Sequence, residues 1–163
     1  MFRKLLLTGA LAVLPAVAFA ASSSVVSGGP RVGFSVSPDQ VVLGGQLTIT
    51  GFAAPWSFDP SLEIGLGSDR TIIAFNGDLL YHARMSGSNW RPYLGAGLGV
   101  NSISIDMPPG LRDDTSTDLA LNIALGFDAP LASGNHWFGE MRFGLGNSEV
   151  PDLKLLAGLR FRL

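Results

Sequence analysis

Cysteine is absent from this chain of 163 residues, charged side chains make up only 15% of it, and there are just two histidines. Without cysteine the protein can form no disulfide and no thiolate metal or redox site. Long apolar runs are also scarce. After residue 21, no segment is apolar over the roughly 20 residues that a membrane-spanning helix requires. These absences argue against a disulfide scaffold and against a helical membrane domain.

The N-terminus has the features of an export signal. Arg3 and Lys4 precede an apolar run, and Ala18 and Ala20 are small residues at the alternate positions that signal peptidase accepts. We expect residues 1–20 to be a signal peptide; the alternative is an uncleaved anchor, which the glycine and proline within the run disfavour. Cleavage leaves nine basic and 13 acidic residues, a formal charge of −4 that disfavours nucleic-acid binding.

From residue 90 to the C-terminus, apolar side chains alternate with small or polar ones through four segments. This period of two is typical of strands with two different faces. The apolar phase contains Trp90, Pro92, Leu94, Ala96, Leu98, Val100, Leu119, Leu121, Ile123, Leu125, Phe127, Trp137, Met141, Phe143, Leu145, Leu153, Leu155, Ala157, Leu159, Phe161 and Leu163. The charged residues share the other phase with many glycines. A soluble barrel keeps its apolar face inside and spreads its charges outside. Here the charges lie on the glycine-rich face, which is the confined one. We therefore expect the apolar face to point outward into lipid.

The same reasoning along the whole chain predicts eight strands. Their ranges are 31–37, 41–53, 61–67, 71–84, 90–106, 119–129, 136–147 and 153–163. Most connections are short and rich in turn residues, so neighbouring strands should form hairpins. An exported chain without a spanning helix crosses a membrane only as a closed barrel, since an open edge leaves backbone groups unpaired in lipid. The expected fold is all-β: an eight-stranded antiparallel up-and-down transmembrane β-barrel over residues 31–163, after the signal peptide and an N-terminal extension over residues 21–30.

Both termini of such a barrel lie at the periplasmic end, which places the longest connection, residues 107–118, on the extracellular side. Four aspartates in and beside it are expected to form a solvated acidic loop: Asp106, Asp113, Asp114 and Asp118. Their spacing does not match a calcium loop, and no metal site is predicted. At the opposite rim, six aromatic residues are expected to form an interfacial girdle: Phe52, Tyr81, Trp90, Phe127, Trp137 and Phe161.

The interior of an eight-stranded barrel is just wide enough to be filled by side chains. Inward-facing glycines leave room for long charged side chains, which survive burial only when they are paired. We therefore predict an ion network that plugs the lumen, formed by Glu63, Asp78, Arg84, Arg91, Glu140, Arg142, Lys154 and Arg160. Glu140 and Arg160 are expected to pair across neighbouring strands. A gate whose ion pairs exchange to pass ions stays open as an alternative, as does a ligand site.

Catalysis is not expected from this sequence. His82 and His136 are the only histidines, and neither has a serine two residues away on the same face, so no local segment brings a nucleophile to a base. Two histidines so far apart in sequence also make a poor zinc site. We therefore predict no enzyme activity and no cofactor.

The segment Trp-Arg-Pro-Tyr-Leu-Gly-Ala-Gly-Leu-Gly-Val at 90–100 resembles a strand common in small outer-membrane β-barrel proteins related to the transmembrane domain of outer-membrane protein A. Elsewhere in 31–163 the resemblance is compositional. Such families usually end on an aromatic residue that the barrel assembly machinery reads during biogenesis, whereas this chain ends on Leu163 and its last aromatic is Phe161. The resemblance implies structural, adhesive, lipid-modifying or pore roles without choosing among them.

The sequence thus predicts a non-enzymatic integral protein of the bacterial outer membrane, monomeric and surrounded by outer-membrane lipid. We expect a polar, plugged lumen and a structural or surface-interaction role, and the sequence identifies no extracellular partner. A small gated pore is one alternative. The other is a soluble periplasmic barrel that binds an apolar ligand, as lipocalins do, although such chains place apolar residues inside.

Overall fold

The computed structural model describes residues 25–105, 114–131, 134–147 and 150–163, so the expected signal peptide lies outside the described residues. The described chain forms eight strands: β1 (Val25–Val36), β2 (Gln40–Thr50), β3 (Trp56–Leu66), β4 (Arg70–His82), β5 (Arg91–Ile105), β6 (Asp114–Pro130), β7 (His136–Leu145) and β8 (Leu153–Arg162). Among the described residues, no helix is long and apolar enough to cross a bilayer.

The strands close into a barrel. Each strand pairs antiparallel with the next along the chain, and β1 also pairs with β8, where Val32 lies opposite Ala157. Beyond the last strand, the N–H of Leu163 donates to the carbonyl of Val26. Closure leaves no open sheet edge, which is the condition for a sheet that faces lipid. The predicted eight-stranded antiparallel barrel is confirmed.

Two strands begin earlier than the sequence indicated. β1 begins at Val25, so residues 25–30, expected to be an extension, belong to the barrel. β3 begins at Trp56, inside an expected loop. The first segment is rich in glycine, and the second carries Ser57 and Asp59 on its inner face, so neither has the apolar signal of a strand. Both are strands because their backbones pair with neighbouring strands.

β6 is also longer than expected, and this changes the acidic loop. It begins at Asp114, which pairs with Ile105 of β5. Asp114 and Asp118, predicted to lie in the loop, are therefore strand residues. The intervening run of hydroxyl side chains gives no apolar alternation, but its backbone continues the ladder with β5. Asp106 and Asp113 lie outside the described residues.

The outer surface of the barrel is apolar. Leu98 is 68% exposed and Leu119 is 74% exposed, and every strand carries large exposed apolar side chains: Val32, Phe34, Leu43, Leu47, Leu62, Ile64, Ile73, Leu79, Leu94, Leu121, Leu125, Met141, Phe143 and Leu155. Buried polar and charged side chains occupy the inner face. The alternation therefore has the predicted phase. We call the end at which Val25 and Leu163 lie the termini end, and the opposite end the loop end.

Inward glycines let long side chains cross the lumen, and Gly126 is a tight case. A Cβ there would lie 2.5 Å from the carbonyl oxygen of Gly139 and 2.6 Å from the hydroxyl oxygen of Tyr93. We expect Gly126→Ala to lower the free energy of unfolding by about 1–3 kcal/mol, the usual cost of overpacking. Reversible urea unfolding in detergent, followed by tryptophan fluorescence, measures this change.

The matched control is Gly45→Ala on the outer face of β2, where the nearest atom would be 3.9 Å from the new Cβ. This variant should change the free energy of unfolding by less than about 0.5 kcal/mol. Equal destabilisation by both substitutions would contradict close packing at Gly126.

Candidate functional site

Six charged side chains meet in the middle of the lumen, and all of them are buried. They come from five strands and comprise three acids and three bases, so their formal charges cancel. We call them the central network: Arg31, Glu63, Asp78, Glu140, Arg142 and Lys154.

Arg142 is the hub of the central network. Its Nη2 lies 2.6 Å from Asp78 Oδ2 and 2.9 Å from Glu140 Oε1. Its Nη1 lies 3.4 Å from Glu63 Oε1. One guanidinium on β7 therefore meets carboxylates from β3, β4 and β7, across the lumen as well as along its own strand. Hydrogen bonds between ionised groups are shorter and stronger than neutral ones.

The carboxylates of the central network are satisfied from other strands as well. Arg31 Nη2 donates to Glu140 Oε1 at 2.7 Å, and Tyr93 donates its hydroxyl to Glu140 Oε2 at 2.9 Å. Lys154 Nζ donates to Glu63 Oε2 at 2.8 Å. Both oxygens of each glutamate therefore have a partner, as buried carboxylates require.

A second group of charges lies toward the termini end. Arg160 donates to Asp128, and its Nη2 lies 3.2 Å from Asp59 Oδ2. The guanidinium carbon of Arg160 also lies 4.7 Å from the ring centroid of Phe138 and 5.3 Å from that of Tyr93. Aromatic faces attract cations electrostatically. Arg160 is therefore fixed by carboxylates and rings together, close to but separate from the central network.

Sequence reasoning brought Glu140 and Arg160 together, and this pairing is wrong. Both side chains point inward from neighbouring strands, but β8 places Leu156 opposite Glu140 and Arg160 opposite His136. Arg160 is thus nearer the termini end and pairs with acids there. Glu140 forms ion pairs with Arg31 and Arg142 instead.

Arg84 and Arg91, also predicted for the ion network, lie apart from it. Both are exposed and line the mouth of the lumen at the termini end. Within the described parts of the chain, neither has a carboxylate within 4.0 Å. The structure instead adds Arg31 to the central network, with Asp59 and Asp128 nearby. Arg31 and Asp59 fell outside or at the edge of the predicted strands, which hid their inward orientation.

The loop end of the lumen is filled by apolar side chains that the sequence did not predict for this place. All are buried: Val42, Ile72, Ala74, Ile103, Val150 and Pro151. We call this group the loop-end cap. The gap that four of these residues line has no room for a water molecule. The expected turn before β8 thus folds partly back into the lumen, where Val150 packs beside the inner glycines Gly144 and Gly146.

The termini end is open instead and leads into a cavity of about 750 Å³. We call this cavity the vestibule. Its wall includes four arginines, both histidines and one carboxylate: Arg84, Arg91, Arg160, Arg162, His82, His136 and Asp128. Side chains therefore fill the lumen in the middle and at the loop end, and the lumen is hollow at the termini end.

The six girdle aromatics fall into smaller groups. Trp90, Phe127 and Trp137 form a cluster with ring centroids 4.9–5.8 Å apart. Tyr81 packs edge-on against Trp56 at 5.2 Å, a residue that sequence analysis missed because β3 was expected to begin later. Two others, Phe52 and Phe161, are exposed and make no ring contact among the described residues.

A serine, a histidine and an aspartate adjoin at the edge of the vestibule, although neither histidine has a serine two residues away on the same face of its own strand. Ser57 Oγ lies 2.9 Å from His82 Nε2, and His82 Nδ1 lies 3.3 Å from Asp128 Oδ2. Ser57 is on β3, His82 on β4 and Asp128 on β6. Because the three residues are on different strands, spacing within one strand could not reveal them. Such an order of groups is that of a nucleophile, a base and an orienting acid.

The surroundings of Ser57 do not suit a nucleophile. Its exposure is 0%, and it does not line the vestibule. Its hydroxyl also hydrogen-bonds to Asp59. Asp59 therefore competes with His82 for the serine proton. Among the described residues there is also no group of three or more potential metal ligands.

The sequence matches no protein-family model and no curated protein. The structure, however, is similar to solved barrels. Neisserial surface protein A has a TM-score of 0.66 at 18% identity, covering 87% of this chain and 98% of that one. The N-terminal β-barrel domain of Pseudomonas aeruginosa OprF has a TM-score of 0.64 at 17% identity, covering 86% of this chain and 96% of that one. A major outer membrane protein from Thermus thermophilus has a TM-score of 0.62 at 13% identity, covering 86% of this chain and 100% of that one. The fold is that of the small outer-membrane β-barrels, which confirms the resemblance at the level of architecture.

The central network makes a direct prediction for stability. Glu140→Ala removes the shared acceptor of Arg31, Arg142 and Tyr93 and leaves three buried cations facing only two carboxylates, Glu63 and Asp78. The free energy of unfolding should fall by about 3–5 kcal/mol, the usual effect of breaking a buried ion pair. Urea unfolding in detergent measures it.

The control is Asp69→Ala at the loop end. Asp69 pairs with Arg70 at 3.3 Å, but its side chain is 61% exposed, and surface ion pairs contribute about 0–1 kcal/mol. If Glu140→Ala were no more destabilising than this control, the central network would not stabilise the barrel.

Proposed function

We propose that this protein is an integral, non-enzymatic barrel of the bacterial outer membrane that acts as a structural or surface-interacting element. The observation that carries this proposal is the distribution of polarity. Exposed leucine, isoleucine, valine and phenylalanine surround the barrel, while the charged side chains of the central network are buried in its lumen. In water this arrangement would be inside out. In a bilayer it places apolar atoms against lipid and the charges of the central network beside one another.

The contents of the lumen support a plugged barrel over the gated pore. An ion crossing the lumen would have to separate the contacts around Arg142 and then pass the loop-end cap, where buried apolar side chains leave no room for water. Exchange of ion pairs opens only the first of these two barriers. The second has no space for the water that hydrates an ion.

The same contents disfavour a lipocalin-like binder. A lipocalin encloses an apolar cavity, whereas the vestibule has arginines and histidines in its wall. The middle of the lumen is occupied by ions. An apolar ligand therefore has no apolar chamber to enter, and a soluble barrel would expose its leucines.

The lack of catalysis is proposed from the buried position of Ser57. A substrate entering the vestibule meets His82 and Asp128 but not the serine hydroxyl. Exposed rims and loops are then the surfaces through which the protein acts. We propose the termini end as the periplasmic end, assembly by the barrel assembly machinery, and a monomer.

Placing a charge on the outer surface tests the membrane assignment. Leu98 is 68% exposed in the middle of β5, where an arginine would face the lipid core. Leu98→Arg should lower the free energy of unfolding in bilayers by about 2–4 kcal/mol if the site lies near the midplane. Refolding into phosphatidylcholine vesicles from urea measures it.

Leu131→Arg is the control, because Leu131 is also exposed, at 44%, but follows the end of β6. An interfacial arginine should cost only about 0–1 kcal/mol. Recovery of wild-type protein in the soluble periplasmic fraction, stable without detergent, would contradict the proposed function.

Planar-bilayer recording separates the plugged barrel from a pore. The wild type should show no stable conductance, since an eight-stranded lumen is filled by its own side chains. Glu63→Ala loosens the central network but leaves the loop-end cap in place, so it should stay silent as well. A steady single-channel conductance of the wild type would support the pore instead.

A further inference from the structure

The vestibule carries positive charge that nothing in the described protein neutralises. Arg84, Arg91 and Arg162 line it, and within the described ranges none of them has a carboxylate within 4.0 Å. Asp128 is the single carboxylate among the lining residues. It is already engaged by Arg160 and by His82. Three guanidinium groups therefore face a shared cavity without a counter-charge.

These three arginines come from separate parts of the barrel. Arg91 begins β5, Arg162 ends β8, and Arg84 follows the end of β4. Like charges held around one cavity with low-dielectric walls raise the local potential and attract ions of opposite sign. The termini end of the barrel should therefore have a positive electrostatic potential that attracts anions.

Arginine also limits the chemistry of such an anion. A guanidinium presents several N–H donors in a planar fork that fits the oxygens of phosphate groups two at a time. An anion with two or more negative charges and oxygens on several sides can meet several of these forks together. A singly charged carboxylate satisfies only one of them.

The floor of the vestibule adds a fourth arginine. Arg160 lines the cavity, and Asp128 and Asp59 contact its two terminal nitrogens. The volume of about 750 Å³ falls in the range of small-molecule sites.

We propose that the vestibule binds water-soluble anions that carry phosphate groups, with Arg84, Arg91 and Arg162 as the binding residues. The ligand is a soluble molecule and not a lipid headgroup, because the vestibule is the mouth of the lumen while lipid lies against the opposite face of the strands. A nonpolar or cationic solute has no complementary group here.

Isothermal titration calorimetry with inorganic pyrophosphate tests the proposal on the purified barrel in uncharged detergent at low ionic strength. The wild type should bind saturably, and affinity should fall as salt is added. Arg84→Gln/Arg91→Gln should weaken binding by about tenfold or more, equivalent to the loss of one charged hydrogen bond or more. Both residues are exposed, so the fold should survive, and thermal unfolding checks that it does.

Arg70→Gln is the matched control, since Arg70 begins β4 at the loop end and should leave pyrophosphate binding unchanged. No saturable binding by the folded wild type would overturn the proposal. So would equal loss of affinity in the control and the double variant.

A second arm separates soluble anions from lipid headgroups. The titration is repeated in nanodiscs made of phosphatidylcholine alone and of phosphatidylcholine mixed with phosphatidylglycerol. Equal numbers of pyrophosphate sites in both support a ligand taken from water. Loss of those sites in the mixed discs would mean that lipid headgroups occupy the vestibule, and would overturn the assignment to soluble anions.

Discussion

Removing a guanidinium from water costs several kcal/mol unless carboxylates surround it, and Arg142 is held where three carboxylates meet. Glu63, Asp78 and Glu140 lie within 3.4 Å of its nitrogens. The need to keep Arg142 beside these carboxylates constrains the position of β7 as well as the individual contacts. A slip of β7 by one residue would turn both Arg142 and Glu140 toward lipid and would take the Arg142 guanidinium away from Asp78 and Glu63. The ion network therefore constrains the register of the strands that supply it, in addition to filling space.

Glycine and aromatic residues also hold the charged side chains of the lumen in place. The small inner face at Gly126 lets Tyr93 reach across to Glu140, which it meets at 2.9 Å. Phe138 lies between two cations, with its ring centroid 5.6 Å from the guanidinium carbon of Arg31 and 4.7 Å from that of Arg160. The lumen thus combines ion pairs with rings that shield them, so charges from opposite walls are held without bulk water.

The period of two in the sequence predicts which face a residue occupies but not how deep it lies. Leu98 and Glu140 were placed on the correct faces because each strand alternates strictly. The partner of Arg160 was missed, since its depth follows from the stagger of β8 against β7. The starts of β1 and β3 were missed for a different reason. Their backbones pair although their side chains give no apolar signal, as at Ser57 and Asp59.

The two ends of the lumen differ, and this difference limits what the protein can do. The loop end is filled by Val150, Pro151 and their apolar neighbours, whereas the termini end is open and basic. In the plugged barrel that we propose, a solute that enters the vestibule leaves by the same mouth. Reversible binding at one end is compatible with that proposal, whereas passage through the barrel is not. The same eight-stranded fold occurs in proteins that share less than a fifth of their residues with this one, so the specific chemistry of this chain has to come from its rims and its vestibule.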